Sequence, residues 1–246
     1  MLITGAARRI GREMALALAG RGANLLLHYR DSKIEARALQ EEIREFGVGC
    51  EILGCDFSPR SSGSLEKRAA DFIQNAERKL GLLDVLINNA SLYFPTPLGK
   101  VRESDWDELL GVNLKAPFFL SQAAGCSMLQ RKRGKIINLT DGAAANPVNG
   151  YAPYMISKVG LTAMTVCLAR ELAPYVQVNA VAPGPILPPK GMKAPRMAKV
   201  TERTLLKRFG TPADIAQTVL YLIEGTDYVT GAVIPVDGGG SIAWGE

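Results

Sequence analysis

Histidine and cysteine are scarce in this sequence of 246 residues, which has one histidine and four cysteines. The cysteines form no C-x-x-C pair; they are Cys50, Cys55, Cys126 and Cys167. A structural zinc site normally uses about four closely spaced Cys or His ligands, so the composition argues against a metal. It is typical of free, partly buried thiols in a reducing compartment and not of a disulfide framework.

The sequence also lacks any apolar run near the roughly 18 residues of a membrane span, and its first residues do not resemble a signal peptide. Excess charge is small, because 29 Lys and Arg against 24 Asp and Glu give a net charge of +5. These charges are too few and too dispersed to indicate nucleic-acid binding. We therefore predict a cytoplasmic protein with no membrane and no nucleic-acid partner.

Short apolar runs alternate with amphipathic stretches along the whole chain, and no linker or repeat divides it. The strand-like runs are Met1–Thr4, Leu25–Tyr29, Glu51–Cys55, Val85–Asn88, Lys135–Thr140, Val176–Val181 and Ala232–Val236. The helical patterns lie near residues 11–21, 33–46, 64–80, 104–130, 152–173 and 212–224. This alternation predicts one α/β domain over residues 1–246, a doubly wound parallel sheet with helices on both faces. The first run is short, so a residue or two upstream of Met1 is expected to belong to it.

Residues 183–211 depart from this alternation because prolines stand at positions 183, 185, 188, 189 and 195. Such a stretch cannot begin as a core strand or a long helix, and it predicts a mobile loop followed by a short helix. It is also basic, with Lys190, Lys193, Arg196, Lys199, Arg203, Lys207 and Arg208. Two interpretations stay open: a solvated loop, or a substrate lid over an anionic ligand.

A glycine-bearing turn joins the first predicted strand to the first helix; it reads Thr4-Gly5-Ala6-Ala7-Arg8-Arg9-Ile10-Gly11. Such a turn lets a pyrophosphate lie on the helix N-terminus, where unpaired N–H groups point outward. Two glycines alone are weak evidence, and a plain structural turn is the alternative. The position of the turn after strand one of an alternating chain favours dinucleotide binding.

The end of the second strand indicates which dinucleotide would bind. NAD-specific sites place a carboxylate there to accept from the ribose 2′-hydroxyl, whereas this chain has Tyr29 followed by Arg30. Arg30 and the two arginines of the glycine turn suit a phosphate, so the pattern predicts NADP(H) and not NAD(H). Asp31 is discordant and is expected to point to solvent. His28 is expected to be a packed strand residue.

Tyr154 and Lys158 lie four residues apart at the start of a helical pattern. This spacing puts both side chains on one helix face. A nearby ammonium favours the phenolate and is expected to lower the pKa of the tyrosine. The pair therefore predicts a tyrosine that exchanges a proton near neutral pH.

Taken together, these features resemble the short-chain dehydrogenase/reductase family over essentially the whole chain. The shared motifs, in order, are the glycine turn, Asn88-Asn89-Ala90-Ser91, Asn113, Tyr154 with Lys158, Pro183-Gly184 and Asp237-Gly238-Gly239. The resemblance implies a single Rossmann-like domain with seven parallel strands, usually in a homotetramer. It also implies that Tyr154 is the proton donor, that Lys158 holds the nicotinamide ribose, and that Asn113 anchors a water in the proton relay.

Three departures from the usual family pattern are similar to the pteridine reductase branch. Arg9 replaces the middle glycine of the turn, Ser91 replaces a glycine, and Asp141 replaces the serine thirteen residues before Tyr154. In that branch an aromatic residue at the position of Tyr93 stacks the pterin against the nicotinamide. The resemblance therefore implies NADPH-dependent reduction of a pterin, such as a dihydropterin or a dihydrofolate-like compound.

The chemistry of a pterin fits these departures. A ketone needs a hydroxyl donor to its oxygen, which serine supplies, whereas reduction of a C=N bond needs a proton on nitrogen. Asp141 can relay that proton if burial keeps its carboxyl protonated. Stacking on Tyr93 favours a flat heterocycle over a flexible acyl chain. The alternatives are a loop-capping role for Asp141 and a packing role for Tyr93.

The site predicted in this way has three groups of residues. The catalytic residues are Asp141, Tyr154, Lys158 and Asn113. The cofactor-binding residues are Gly5, Arg8, Arg9, Ile10, Tyr29, Arg30, Ser32, Asp56, Phe57, Asn89, Ala90, Ser91, Tyr154, Lys158, Pro183 and Gly184. The substrate-binding residues are Arg9, Ser91, Tyr93, Asp141 and Tyr154.

Two other functions stay open. One is a 3-oxoacyl carrier-protein reductase or another carbonyl reductase, for which the basic run Arg131-Lys132-Arg133 and the basic lid could dock an acidic carrier protein. Asp141 in place of serine counts against it. The other is a non-catalytic NADP(H)-binding sensor, which would be expected to lack Tyr154 or Lys158; both are present.

Overall fold

One sheet of seven parallel strands organises the computed structural model, which describes residues 1–145, 147–188 and 191–243. The strands are β1 (Leu2–Ile3), β2 (Leu25–Tyr29), β3 (Cys50–Gly54), β4 (Val85–Asn88), β5 (Gly134–Leu139), β6 (Val176–Pro183) and β7 (Val233–Val236). Their order is β3-β2-β1-β4-β5-β6-β7, and every neighbouring pair is parallel. The predicted Rossmann-like α/β fold is confirmed.

Helices cover both faces of this sheet. They are α1 (Arg9–Ala19), α2 (Lys33–Arg44), α3 (Leu65–Leu80), α4 (Glu103–Leu110), α5 (Ala116–Gln130), α6 (Ala152–Glu171), α7 (Ala194–Glu202) and α8 (Pro212–Leu220). Successive strand residues serve opposite faces: Leu86 packs with α3, α5 and α6, and Ile87 packs with α1, α2 and α8. Burial on both sides explains why the strands are continuous apolar runs and do not alternate with polar residues.

The sheet collects the chemistry-bearing residues at one edge. The strand order reverses beside β1, which has β2 on one side and β4 on the other. In open α/β sheets, ligands bind in the crevice outside the carboxyl ends of the strands at such a reversal. The glycine turn follows β1, Asn89 follows β4, and Asp141 follows β5 by two residues. The candidate site therefore lies at this edge.

The predicted helix over residues 104–130 is wrong as one continuous α-helix. The chain forms α4, then a π-helical segment over Gly111–Lys115, then α5. Pro117 lacks the N–H that an uninterrupted α-helix would direct to the carbonyl of Asn113, so the regular ladder cannot pass this point. The last predicted helix likewise ends in a π-helical turn, over Tyr221–Gly225.

The proline-rich segment contains the short helix that the sequence predicts, which is α7. Lys193, Lys199, Arg203, Lys207 and Arg208 are exposed. The predicted basic residue Lys190, with Pro189, lies outside the described residues, as does the side chain of Arg196. The mobility of the segment and its role as a lid stay predictions.

One helix among the described residues, α6, is long and apolar enough to cross a membrane by length and composition. Of its most apolar window, 56% is buried inside the protein. Tyr154, Leu161, Met164 and Leu168 are among its buried residues. These contacts make α6 a core helix, and they fix the part of the site that it carries.

Candidate active site

The turn after β1 accepts only glycine at its two glycine positions. Gly5 has φ +62°, and a Cβ there would lie 3.0 Å from the Cα of Ala90. A Cβ on Gly11 would lie 2.4 Å from the carbonyl oxygen of Gly5. Gly11 therefore lets the first turn of α1 approach the loop that precedes it, as a dinucleotide turn requires.

Arg9 has φ +55° at the position where the family pattern has a glycine. A left-handed backbone costs a residue with a Cβ roughly 1–2 kcal/mol, so the fold holds this side chain in place against local strain. The N-cap residue Arg8 makes no side-chain capping bond, and the first turn of α1 has no acidic residue. The helix N-terminus thus offers unpaired amides and positive charge to an anion.

Two of the arginines around the turn form ion pairs with carboxylates. Arg8 forms an ion pair with Glu35 of α2, and the Nε of Arg30 donates to Asp31 at 2.6 Å. Asp31 is exposed, as predicted, and Tyr29 is half-buried at the end of β2. The sequence analysis did not anticipate Glu35, which lies 27 residues from Arg8.

The loop after β3 is fixed by the Asp56 carboxylate. It accepts hydrogen bonds from the backbone N–H and hydroxyl of Ser58, at 2.8 and 2.9 Å, and from the hydroxyl of Ser61 at 2.9 Å. Burial raises the pKa of Asp56, but these donors outweigh it and hold the pKa below its usual value. Phe57 is buried beside this carboxylate.

The segment after β4 is hydrogen-bonded to the glycine turn. The Nδ2 of Asn89 donates to the carbonyl oxygens of Thr4 and Gly5, at 2.8 and 3.0 Å. The hydroxyl of Thr4 accepts from the backbone N–H of Asn89 and of Ala90, at 2.9 and 3.0 Å. These four bonds tie the two loops on either side of the crevice to each other.

Asp141 and Tyr154 form the shortest contact at the other end of the site. The Tyr154 hydroxyl donates to Oδ2 of Asp141 at 2.5 Å, while Oδ1 accepts from the Ala143 N–H at 2.7 Å. Lys158 is buried, and its Nζ donates to the carbonyl oxygen of Leu139 at 2.8 Å. The same Nζ lies 5.9 Å from the centroid of the Tyr154 ring.

The electrostatics of this group differ from the sequence-based expectation. Burial raises the pKa of Tyr154, and the negative charge of Asp141 raises it further. The expected lowering by Lys158 is wrong for this arrangement, because the carboxylate is in direct contact and the ammonium is not. Burial lowers the pKa of Lys158 to about 8, against the opposing influence of Asp141.

Asn113 lies in the π-helical segment and is fully buried. Its Oδ1 accepts from the backbone N–H of Leu92 at 2.8 Å and from the Ser91 hydroxyl at 3.2 Å. Its Nδ2 donates to the Leu92 carbonyl oxygen at 2.9 Å and to the Ser157 hydroxyl at 3.2 Å. The side chain therefore joins the loop after β4 to α6, and its predicted role in a water relay stays a prediction.

Tyr154 belongs to a cluster of aromatic rings. Tyr93 stacks on Tyr151 with ring centroids 4.6 Å apart and planes 5° apart, and it meets Tyr154 edge-on at 4.8 Å. Tyr151 thus covers one face of Tyr93, and a flat ligand that stacked on that face would displace Tyr151. The sequence analysis missed Tyr151, although its spacing of three residues from Tyr154 places it near the same side of α6.

The other predicted residues fall at the same edge of the sheet. Pro183 ends β6, and a Cβ on Gly184 would lie 2.5 Å from the Cα of Asp237. Ile10 is half-buried in the first turn of α1. Ser32 precedes α2 without a side-chain capping bond. Contacts bring Asp141, Tyr154 and Tyr93 together and join Ser91 to Asn113, whereas Ser32 makes no such contact within the described residues.

Comparisons with known proteins agree with this architecture. The family model described as Enoyl-(Acyl carrier protein) reductase matches residues 5–241. The 3-oxoacyl-[acyl-carrier-protein] reductase FabG of Staphylococcus epidermidis is 38% identical over 244 residues, which cover 97% of each chain. The proteins of that name in Staphylococcus aureus and Thermotoga maritima are 38% and 36% identical, over 97% of this chain and 96% of theirs.

The names of these relatives fit the carbonyl-reductase alternative better than the pterin interpretation, and they do not support the pteridine reductase branch. The family itself is supported twice, by a model that spans nearly the whole chain and by relatives that align over nearly their whole length. The chain therefore belongs to the short-chain dehydrogenase/reductase family of nicotinamide-dependent oxidoreductases.

Proposed function

We propose that this protein is an NADPH-dependent reductase that converts a carbonyl group, of the 3-oxoacyl thioester class, into a hydroxyl. The observation that carries the proposal is the arrangement of Tyr154, whose hydroxyl bonds to Asp141 and whose ring centroid lies 5.9 Å from the Nζ of buried Lys158, at the sheet edge that also holds the glycine turn. The names of the full-length relatives support the substrate class.

The residues present fit a dinucleotide. Gly5 and Gly11 allow close backbone contacts that a Cβ would prevent, and the N-terminus of α1 is uncapped by any side chain. Arg8, Arg9 and Arg30 would hold the 2′-phosphate, since no carboxylate stands at the position of Tyr29. The bound cofactor would supply the hydride.

The side chains of this protein would handle the proton. Tyr154 would donate its hydroxyl proton to the oxygen that becomes negative as the carbonyl is reduced. Lys158 would hold the ribose and supply positive charge. Asp141, at the position of the usual serine, would accept a hydrogen bond from the Tyr154 hydroxyl and orient it.

The test is the oxidation of NADPH with acetoacetyl thioester, dihydrobiopterin and folate in parallel reactions. We expect turnover of the thioester, seen as loss of NADPH absorbance and formation of the 3-hydroxy product. Turnover of dihydrobiopterin alone would replace this substrate class by the second one below. Binding of NADPH without turnover of any of a broad panel of carbonyls and pterins would support the sensor.

A second function, pterin reduction, is favoured by the contact between Asp141 and Tyr154. A carboxylate stabilises a cationic electrophile and repels a developing oxyanion. A C=N nitrogen can be protonated before hydride arrives, whereas a ketone oxygen cannot be protonated appreciably near neutral pH. The pair Asp141–Tyr154, at 2.5 Å, would relay that proton from solvent.

Tyr93 provides a prediction for this second function. If its ring stacks on a pterin, Tyr93→Ala should raise KM for dihydrobiopterin by roughly fivefold or more, because about 1 kcal/mol of stacking is lost. Tyr93→Phe keeps the ring and should be nearly neutral. KM is measured by NADPH oxidation at saturating cofactor. An unchanged KM in the alanine variant would mean that Tyr93 packs only on Tyr151 and Tyr154.

Arg9 provides a prediction for the cofactor. We expect the wild-type protein to prefer NADPH over NADH by about tenfold or more in kcat/KM, roughly 1.4 kcal/mol. Arg9→Ala and Arg9→Gly should both lose most of this preference through weaker NADPH binding. Alanine shares with arginine the strain of the backbone at φ +55°, and glycine relieves it. An equal loss for both nucleotides in the two variants would mean that Arg9 acts through the shape of the turn.

The homotetramer, the cytoplasmic location and the single catalytic domain remain predictions of the same proposal. Docking of an acidic carrier protein would use the basic run at residues 131–133. In that run Lys132 lies 5.5 Å from the ring centroid of Tyr175, and Arg131 donates to the Leu83 carbonyl oxygen at 2.7 Å. Two of the three basic side chains that a carrier protein would contact are therefore held in place by neighbours within this chain.

A further inference from the structure

His28 is the one histidine of the sequence, and its ring is buried between the ends of three strands. The backbone N–H of Gly5, after β1, donates to the Nδ1 of His28 at 3.0 Å. On the other side of the ring, Nε2 lies 2.9 Å from the carbonyl oxygen of Cys55, after β3. The imidazole therefore bridges the glycine turn to the loop beyond the neighbouring strand.

These two contacts determine the protonation state and the tautomer of the His28 ring. Because Nδ1 accepts a hydrogen bond, it carries no proton; the proton of the neutral ring is on Nε2, which donates to Cys55. A second proton would sit on Nδ1 and face the Gly5 N–H, donor against donor. Burial accordingly lowers the pKa of His28 to about 4, although the Cys55 carbonyl and the charge of Asp56 oppose this shift.

His28 holds two successive amides of the turn. Its side chain accepts from the N–H of Gly5, and its backbone carbonyl accepts from the N–H of Ala6 at 3.0 Å. Gly5 has φ +62°, and the bonds to His28 hold the amide side of the turn while Asn89 holds the carbonyl oxygens of Thr4 and Gly5. The rings of Phe57 and Phe72, with centroids 4.7 and 5.2 Å away, fix the plane of the imidazole.

We propose that neutral His28 is a positioning residue for the dinucleotide: its Nδ1 holds the Gly5 amide so that the turn and the N-terminus of α1 face the pyrophosphate. His28 acts through the turn and does not touch the ligand. The proposal rests on the NADPH-dependent function proposed above. It assigns to a strand residue a role that packing alone does not require.

Few titratable or charged groups of the described residues lie near the His28 ring. The loop after β3 contributes Asp56 and the thiol of Cys55, whose pKa is raised by burial to about 11, so that it stays neutral. From α3, Arg68 donates to the backbone oxygens of Asp56 and Ser58. From the turn after β1, Gly5 and Ala6 bring no titratable group. Acidification toward pH 4 therefore acts on the bridge through His28, because the pKa of Asp56 is held below its usual value.

Two substitutions separate the two ends of the bridge. The amide of His28→Asn can reach the place of Nδ1 and accept from Gly5, whereas the longer His28→Gln places its amide near Nε2 and reaches Cys55. We expect the glutamine variant to bind NADPH about tenfold more weakly than the wild type, and the asparagine variant to bind within about threefold. The Kd is measured by the change in nucleotide fluorescence, without any substrate.

Thermal unfolding provides the comparison that a purely structural role would predict. Both variants lose one of two buried hydrogen bonds, so their Tm values should fall by similar amounts. If the Kd for NADPH rises by the same factor in both variants, as their Tm values fall by the same amount, the proposal is overturned. The same assay distinguishes failure of this proposal from failure of the proposed function. A wild-type protein that binds no NADPH contradicts the proposed function, whereas a comparison of the two variants tests His28.

The wild-type protein gives a second measurement that does not depend on the variants folding. With one histidine in the sequence, a long-range ¹⁵N–¹H NMR spectrum reports the His28 ring without assignment. We expect the Nε2–H tautomer from pH 8 down to about pH 5. A ring protonated on Nδ1, or one that titrates near the usual histidine value of about 6.5, would overturn the proposal.

Discussion

Tyr154→Phe is expected to lower kcat by about 10²- to 10⁴-fold, the usual contribution of a positioned general acid. The ring should remain packed with Leu109 and Met155 and edge-on to Tyr93, so the fold is kept. Asp141 keeps its bond from the Ala143 N–H. The measurement is kcat at saturating NADPH and substrate, together with the Kd of NADPH, which we expect to stay within about threefold.

The matched control is Tyr221→Phe, which removes the same hydroxyl from a half-exposed tyrosine at the end of α8. It should leave kcat within about twofold of the wild type. If Tyr154→Phe also retained wild-type turnover, the proton would come from another group, and the mechanism proposed for Tyr154 would be wrong. Loss of NADPH binding in Tyr154→Phe would instead indicate a damaged site.

Much of the fold follows from local patterns in the sequence. Apolar runs of four to eight residues between amphipathic stretches can form only buried strands in such a chain, and Leu25–Tyr29 and Val85–Asn88 match their predicted bounds. Strand boundaries differ from the predicted ones where pairing with a distant strand sets them. For example, β6 continues to Pro183 because β7 pairs with it there. The break at Asn113 had a local signal in Pro117, which the periodicity of the long helix concealed.

The site is less predictable, because its contacts join distant residues. Gly5 and Gly11 were predictable from turn chemistry. No spacing rule indicates that Glu35 pairs with Arg8 or that Lys158 donates to Leu139. The pKa of Tyr154 depends on whether Asp141 or Lys158 is in contact with it, which only the folded chain decides. Substrate identity depends on the surface around Tyr93 and α7, where the sequence carries little pattern.

Substitutions at Asp141 should separate the two substrate classes. Asp141→Asn cannot exchange a proton, and we expect it to lower kcat for dihydrobiopterin by about tenfold or more. Asp141→Ser restores the hydroxyl donor that carbonyl reductases of the family usually have. It also frees the Tyr154 hydroxyl from the contact at 2.5 Å. We expect the serine variant to reduce the thioester at or above the wild-type rate and to be as deficient in dihydrobiopterin reduction as the asparagine variant.

The pH dependence of these variants tests the same carboxylate independently of rate. The charge of Asp141 raises the pKa of both Tyr154 and Lys158, so its removal should lower both values. Lys158 loses its ammonium as pH rises through about 8. The alkaline limb of kcat/KM should therefore move to lower pH in Asp141→Asn and Asp141→Ser alike. Wild-type rates and an unmoved alkaline limb in both variants would reduce Asp141 to a structural acceptor for the Ala143 N–H.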